Sequence, residues 1–488
     1  MGLEALEDLV LHTILRKLGP KDSARAACLS NKLRSLASED SLWSIFCSQD
    51  LDLKEPLDPF GNATPSFKVC YQVWREAFGM YPWPLVMRVK RCWGRLKNWL
   101  SINFPEAAAT LRKGASEVEI QESERILKVK LPLPTRILYR FCDGQEIKDG
   151  QSSQSSLRGL LGLIGGYSFY THMVNVYLLP LIEVVSTTKS IIPHLGFSSR
   201  FKYIVVAASF GYSEKLFFLN CTTGQLHVGT VNLATDGEMI SCVPNALISS
   251  VHDLNGDRQQ DAMLLWLEEH GRRLENGIIK LRGEGDYRSI SLFPEEPPLC
   301  STAITNGVKV RASAVFIPEL ADLENDREKY TYSYSIRMSL LPEGCIINGL
   351  PFSSCQLQRR HWIIRANDRV VSDVSGEAVI GKNFVALKIP NDSGGRGRKV
   401  VVAVVAYDHW QVVVAIDDGG GRRWYWRHIG LEKGEKEFVY ESCTPLTTSS
   451  GSVEGSFTFV PGRLADPKGA PFEVEVARFP IELPDYVF

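Results

Sequence analysis

The chain has almost no net charge: 55 Lys and Arg stand against 56 Asp and Glu, leaving −1 over 488 residues. That balance makes no general case for nucleic-acid or membrane-surface affinity. No apolar run is long and clean enough to span a bilayer. The nearest, Val400 to Ile416, is interrupted by Asp408, His409 and Gln411. Eleven cysteines include no CxxC pair and do not cluster as a disulfide framework would. They read as reduced, mostly buried thiols of a cytoplasmic or nuclear protein. A basic-then-apolar leader is missing, and Met1-Gly2 lacks a myristoylation motif because Leu6 stands where Ser or Thr is needed. Paired carboxylates, metal-ligand clusters and nucleophile–base spacings are missing too, so neither catalysis nor a cofactor is indicated. What is present is globular: 44% hydrophobic and 23% charged residues, at a length that predicts about three domains.

The first fifty residues are leucine-rich and helical in period. Leu11, Ile14, Leu15 and Leu18 fall at i, i+3, i+4, i+7, one helical stripe. Gly19-Pro20 stops that helix, and Asp22 or Ser23 is placed to cap the next. Ala26, Leu29, Leu33 and Leu36 stripe the second helix, and Ser41-Leu42-Trp43 opens a third. A unit this small buries too little surface to stand alone, so its apolar face needs the rest of the chain or a partner. The run Leu9, Ile14-Leu15, Leu18, Pro20-Lys21-Asp22, Ala26, Leu29, Leu36, Ser41-Leu42-Trp43 resembles an F-box over residues 1–50. Two positions depart from it: Leu6-Glu7 replaces Leu-Pro, and Leu33 replaces a tryptophan. The resemblance implies docking onto the Skp adaptor of a cullin-type ubiquitin ligase through Leu9, Ile14, Leu15, Leu18, Pro20, Leu42 and Trp43. The plainer alternative is a helical cap folded onto the next domain.

Residues 51–87 read as a connector, punctuated by Pro56, Pro59, Gly61 and Pro65 and ended by Tyr81-Pro82-Trp83-Pro84. A helical stripe of Tyr71, Trp74 and Phe78 lies within it. From Arg88 a helix carries Val89, Trp93, Leu96 and Leu100 inward and Arg88, Arg91, Arg95 and Lys97 on a face expected to be solvated. A Glu-rich helix, Leu131-Pro132-Leu133-Pro134 and a short aromatic helix ending at Asp143-Gly144 follow. Strands are expected at Leu178 to Val185 and Tyr203 to Ala207, with a hairpin of Lys215–Leu219 and Gln225–Val228 across Thr223-Gly224. Leu264 to His270 closes the region as a helix. Together these resemble a SUKH (Smi/Knr-like) domain over 88–275, which implies an α+β interaction module. Glycines and Pro294-Glu295-Glu296-Pro297-Pro298 mark a linker over 276–307.

After residue 308 the period becomes two. Tyr330, Tyr332, Tyr334, Ile336 and Met338 alternate with Thr331, Ser333, Ser335, Arg337 and Ser339. That predicts antiparallel strands with one buried and one wet face. Arg360-His361-Trp362-Ile363-Ile364, Gly376-Glu377-Ala378-Val379-Ile380-Gly381, Phe438–Cys443 and Gly451-Ser452-Val453-Glu454-Gly455 resemble an ApaG domain over 308–488. The implied fold is an all-β immunoglobulin- or fibronectin-like sandwich, in a multidomain α+β chain. The interval between the second and third motifs is too long for the family, so an insertion is expected at about 383–433, with two valine runs able to form a hairpin around Tyr407–Gln411. The order F-box, SUKH-like, ApaG matches a small group of eukaryotic F-box proteins that includes the plant Skp-interacting-partner type.

Other chemistry is weak. Gly376 and Gly381 resemble a phosphate-cradling loop, but Ala378 replaces a further glycine and no Lys-Ser/Thr follows. They are a candidate ligand loop only. Asp253 to Asp257 begins like a calcium loop, but Arg258 and Leu264 break the spacing, and a helix-capping turn fits better. His361 has no partner at metal-ligand spacing, and Cys443 has no activating His placed by sequence. The reading is therefore a non-catalytic substrate-recognition subunit of a Skp–cullin–F-box ubiquitin ligase. Its expected partners are a Skp-type adaptor, through it a cullin, and an unidentified target protein, with no nucleic acid or membrane. Two alternatives stand beside it: a phosphate- or nucleotide-processing ApaG protein, and an F-box scaffold outside ubiquitin transfer.

Overall fold

The computed structural model describes residues 6–146, 160–169, 172–209, 215–249, 259–283, 288–322, 329–377, 399–405, 411–417, 430–432 and 437–488. The N-terminal helices are α1 (Asp8–Ala26), α2 (Asn31–Leu36), α3 (Asp40–Leu51) and α4 (Phe67–Phe78). The expected break in α1 is real: Gly19 takes φ 79°, ψ 173°, a conformation closed to most side chains, and Pro20 restarts the helix. Ser23 does not cap. It lies inside the second segment, buried, and its hydroxyl donates to the Leu15 carbonyl at 2.7 Å, next to the kink. Ser30 and Ser66 cap α2 and α4, accepting from Leu33 N and Val69 N at 3.2 Å each.

The connector is not a loose tether. Its helix α4 packs on α3, where Tyr71 meets the Trp43 and Phe46 rings at 5.4 and 6.5 Å. The Trp74 indole N–H donates to Leu57 O at 2.9 Å, which pins the preceding loop.

The second body holds α5 (Trp83–Asn103), α6 (Pro105–Ala108), α7 (Glu117–Leu127), α8 (Leu133–Phe141), α9 (Leu181–Ile191) and α10 (Ala262–Glu275). Its strands are β1 (Gly165–Phe169), β2 (His172–Leu178), β3 (Tyr203–Ser209), β4 (Leu216–Asn220), β5 (Leu226–Gly229), β6 (Ile240–Ser241), β7 (Lys280–Arg282) and β8 (Ser289–Ser291). They form one sheet in the order β6-β5-β4-β3-β2-β1-β8-β7. The expected β4–β5 hairpin is present, with Leu219 opposite Leu226 and Gly224 at φ 78° in the turn. Two expectations need correction. Leu178 to Val185 is not a strand: β2 ends at Leu178, and Leu181, Val184 and Thr188 are buried at helical spacing on α9 after Pro180. The basic face of α5 is not simply solvated, since Arg88 grips Glu268 of α10 with two hydrogen bonds of 2.8 and 2.6 Å. Helix α10 is capped by buried Asp261, which accepts from Leu264 N at 2.9 Å and from Thr135 N and Oγ1 at 2.8 and 2.6 Å. The calcium-like run at 253–257 lies outside the described residues.

The third body is a sandwich. Its strands are β9 (Cys300–Thr305), β10 (Val308–Phe316), β11 (Tyr330–Leu340), β12 (Cys345–Ile347), β13 (Leu350–Phe352), β14 (Ser354–Ala366), β15 (Arg369–Glu377), β16 (Lys399–Val405), β17 (Gln411–Asp417), β18 (Gly430–Glu432), β19 (Phe438–Leu446), β20 (Ser450–Arg463), β21 (Asp466–Pro467) and β22 (Phe472–Glu482). One sheet runs β16-β17-β19-β11-β10-β9, and the other is built on β15-β14-β20, with β22 on the far side of β20. Between them Tyr332, Ile336, Met338, Phe457, Phe459, Val474 and Ile481 are buried. The two valine runs do pair, Val402 opposite Val414, and Gln411 joins the hairpin to Ser442 of β19.

The expected linker at 276–307 is instead structure: β7 and β8 complete the second body's sheet, and β9 is an edge of the sandwich. The wet face expected on β11 is also missing, because Ser333, Ser335 and Arg337 are buried. The second body covers them. Ser333 Oγ donates to Ser168 O of β1 at 2.9 Å, and Arg282 donates to Ser335 Oγ at 3.1 Å.

Candidate functional site

Among the described residues no group of three or more His, Cys, Asp or Glu is placed to hold a metal. The chemistry-bearing feature is a surface, at the kink of α1. There a groove of about 680 Å³ is lined by Leu18, Gly19, Pro20 and Lys21 of α1, by Trp43 of α3, and by Lys68, Tyr71 and Arg75 of α4. Its floor is apolar and aromatic, and its rim carries three cations. The indole N–H of Trp43 is satisfied by Ala37 O at 2.8 Å, so the ring presents only its apolar surface. Tyr71 donates to Asp50 at 2.7 Å, and burial together with that carboxylate pushes its phenol well above the ordinary range. It stays a neutral donor. Arg75 stacks over Trp83 at 5.1 Å, which holds the guanidinium at the rim.

The seven residues singled out from the sequence divide. Leu9 is 76% exposed and Leu18 48% exposed, both free for a partner. Ile14 and Pro20 are half-buried. Leu15 and Leu42 are sealed in the unit's own core with Leu11, Leu33, Leu36 and Phe46, so direct contact through them is corrected to a supporting role. Helical stripes face the nearest apolar neighbour, and here that neighbour is the unit itself. Trp43 is buried yet forms part of the groove wall, beside Leu18 and Pro20. Leu29, 75% exposed, stands outside the second helix at the turn before α2. Reading the sequence missed Lys21, Lys68, Tyr71 and Arg75 as groove residues. The signal for them is the Tyr71-Trp74-Phe78 stripe, a helix within the expected connector.

Gly376, the last residue but one of β15, pairs with Arg360, while Gly381 lies outside the described residues. His361 is half-buried and bonded to Asp373 at 2.8 Å, a strand-to-strand tie.

A leucine-rich helical unit ahead of an α+β body and a sandwich defines an F-box protein with a C-terminal ApaG domain. The F-box domain model matches residues 3–45 and the ApaG domain model residues 321–387. The chain is 56% identical over 489 residues to F-box protein SKIP16 of Arabidopsis thaliana, covering 100% of both, and it belongs to that family. It is 23% identical to the human F-box only protein 3, over 100% of this chain and 84% of the relative. Protein ApaG of Afipia carboxidovorans is 26% identical over 183 residues, 38% of this chain and 93% of that protein.

Proposed function

We propose that the chain is the substrate-recognition subunit of a Skp–cullin–F-box ubiquitin ligase. The observation that carries this reading is the groove at the α1 kink, lined by Leu18, Pro20 and Trp43, in a unit that also leaves Leu9 and Leu29 exposed. Such apolar surface beside a self-sufficient core is what a permanent partner covers. The Skp-type adaptor binds there and brings the cullin. The two larger bodies present a target protein. The chain supplies no bond-making residue; its effect is proximity, holding a target lysine near a charged conjugating enzyme.

The test is co-purification with a Skp-type adaptor. Leu18→Asp with Leu9→Asp changes exposed positions, so the fold survives while adaptor binding falls by on the order of a hundredfold, the loss of about 2–3 kcal/mol at an interface centre. Unchanged adaptor recovery from that double variant counts against the assignment. Ubiquitylation of a bound partner in the reconstituted complex separates this reading from a scaffold outside ubiquitin transfer.

A further inference from the structure

The sandwich sends a short segment into the second body. Strand β22 makes its outermost pair at Glu482 with Ser450, and Leu483 N donates to Ser449 O at 2.8 Å. After Pro484 the chain crosses over. Asp485 stays exposed and Tyr486 half-buried, while Val487 and Phe488 are 2% and 6% exposed. The pocket that receives them belongs to the second body. Trp266 of α10 stacks on the Phe488 ring at 5.4 Å, His270 lies 5.4 Å from it, and the Arg273 guanidinium covers it at 4.7 Å. Phe217 of β4 backs Trp266 at 4.8 Å, and Glu269 fixes Arg273 at 2.8 Å.

Val487 is held by its main chain on both sides. Its N–H donates to Cys242 O, just past β6, at 3.1 Å, and its carbonyl accepts from the Trp266 indole at 2.8 Å. Lys215 donates to Phe488 O. Peptide receptors work this way: main-chain bonds hold the segment whatever its sequence, and side-chain pockets choose among sequences.

Lifting the segment leaves the rest of the junction in place. Beyond Glu482 it belongs to no strand among the described residues. Glu295 still joins Arg282 to Arg337. Lys215 keeps the Tyr167 hydroxyl at 2.8 Å and Glu319 at 3.6 Å, so its charge is not stranded. What opens is an aromatic pocket with one main-chain acceptor and an indole donor. We propose that the second body carries a binding site for an extended peptide with adjacent aliphatic and aromatic residues, and that residues 485–488 fill it in cis as a plug that such a peptide displaces. The site shares no residue with the groove at the α1 kink and is independent of it. A short flexible tether supplies an effective concentration of about 1 mM, so a plug seated in nine-tenths of the molecules implies a Kd of about 0.1 mM or lower for the same segment in trans.

The probe is a fluorescent peptide of residues 481–488, titrated by anisotropy into the full chain and into its Phe488→Ala variant. The variant should bind it with a Kd of about 0.1 mM or lower, and the unaltered chain about tenfold more weakly, because its own plug competes. A chain shortened by residues 485–488 should bind at least as well as the variant. A peptide carrying Phe488→Ala should lose about ten- to a hundredfold, the worth of one buried aromatic side chain. In the ¹⁵N spectrum the Trp266 indole signal should shift in the variant and return as peptide is added. Adaptor co-purification of the variant should be unchanged. If Phe488→Ala does not fold, the shortened chain carries the comparison; if neither folds, the segment is part of the core and the proposal is overturned. It is equally overturned if the folded variant does not bind the peptide, if both chains bind it equally, or if bound peptide leaves the Trp266 signal unmoved.

Discussion

The N-terminal unit and the junction between the two larger bodies solve opposite problems. The first is held by hydrocarbon. Leu11, Leu15, Leu33, Leu36, Leu42 and Phe46 share a core, with the Trp43–Phe46–Tyr71 rings beside it. The junction is held by charge. Glu295, nearly buried, takes Arg282 at 2.8 Å, Arg311 at 2.7 Å and Arg337. A second tie is Glu319 of the sandwich, which accepts from Tyr167 at 2.8 Å and faces buried Lys215 at 3.6 Å. Greasy packing tolerates a partner on its outer side, because it has no directional bonds to break. A buried ionic lattice does not, since each charge depends on its neighbours for the solvation it has lost. The N-terminal unit thus keeps apolar surface that a partner can extend without breaking its core, while ion pairs tie the two larger bodies together.

The largest expected effect comes from breaking the lattice. Glu295→Ala removes the shared carboxylate of three guanidiniums, leaving Arg282 and Arg337 only the longer contacts to Glu441 and Glu437, and should cost about 3–5 kcal/mol, read by urea unfolding of the full chain, with adaptor co-purification unchanged. Acid provides a finer version. Burial alone would raise the Glu295 carboxyl, but Arg282 and Arg337 outweigh it and hold it below its ordinary value. A depressed carboxylate contributes stability above its unfolded value and loses it as pH falls through the folded one. The stability gap between the unaltered chain and Glu295→Gln should therefore shrink below about pH 4. Glu319, raised by burial and paired instead with Lys215, acts with the opposite sign in both proteins and cancels in that difference.

The second effect falls on the other side of the comparison. Leu15→Ala should cost about 2–5 kcal/mol through a cavity in the helical core. It should abolish adaptor binding while the near-ultraviolet signal of the larger bodies persists. A loss of both together would show that the two ends are one cooperative unit. The smallest effect is chemical. Nine cysteines are buried, Cys443 is half-buried and Cys28 is exposed at the end of α1. Burial also holds thiols such as Cys92 and Cys242 well above their ordinary value, against reaction. Alkylation followed by mass spectrometry should modify Cys28 first, and a bound adaptor should slow it several-fold.

Periodicity carried most of the fold. The α1 break, the β4–β5 hairpin, the valine hairpin and β11 follow from local spacing and glycine placement, while β14, β15 and β20 carry motifs that were legible only through resemblance to an ApaG domain. Where reading failed, a tertiary neighbour had changed the meaning of a residue. Arg337 and Ser333 alternate as a wet face does, yet β1 and β7 cover them. Pro294-Glu295-Glu296 has the composition of a linker, yet Glu295 is the hub of the junction. Leu178 to Val185 is apolar apart from Glu183 and fits strand or helix; only packing on β3 and α7 decides. In the candidate groove, Leu18, Pro20 and Trp43 were legible, while Lys68 and Arg75 were not, because their place depends on how α4 docks against α3.

By itself the amino-acid order settled where the first helix breaks and which stripe turns inward, since those depend on dihedral limits and spacing within a few residues, and its motifs placed an F-box ahead of an ApaG domain. It could not say which polar residues would end in the dark, nor which leucines would remain in the light. Those outcomes arise from contacts between segments hundreds of positions apart, such as Ser168 with Glu441. Burial of a charge or a hydroxyl is decided by what arrives opposite it, and only the assembled molecule supplies that.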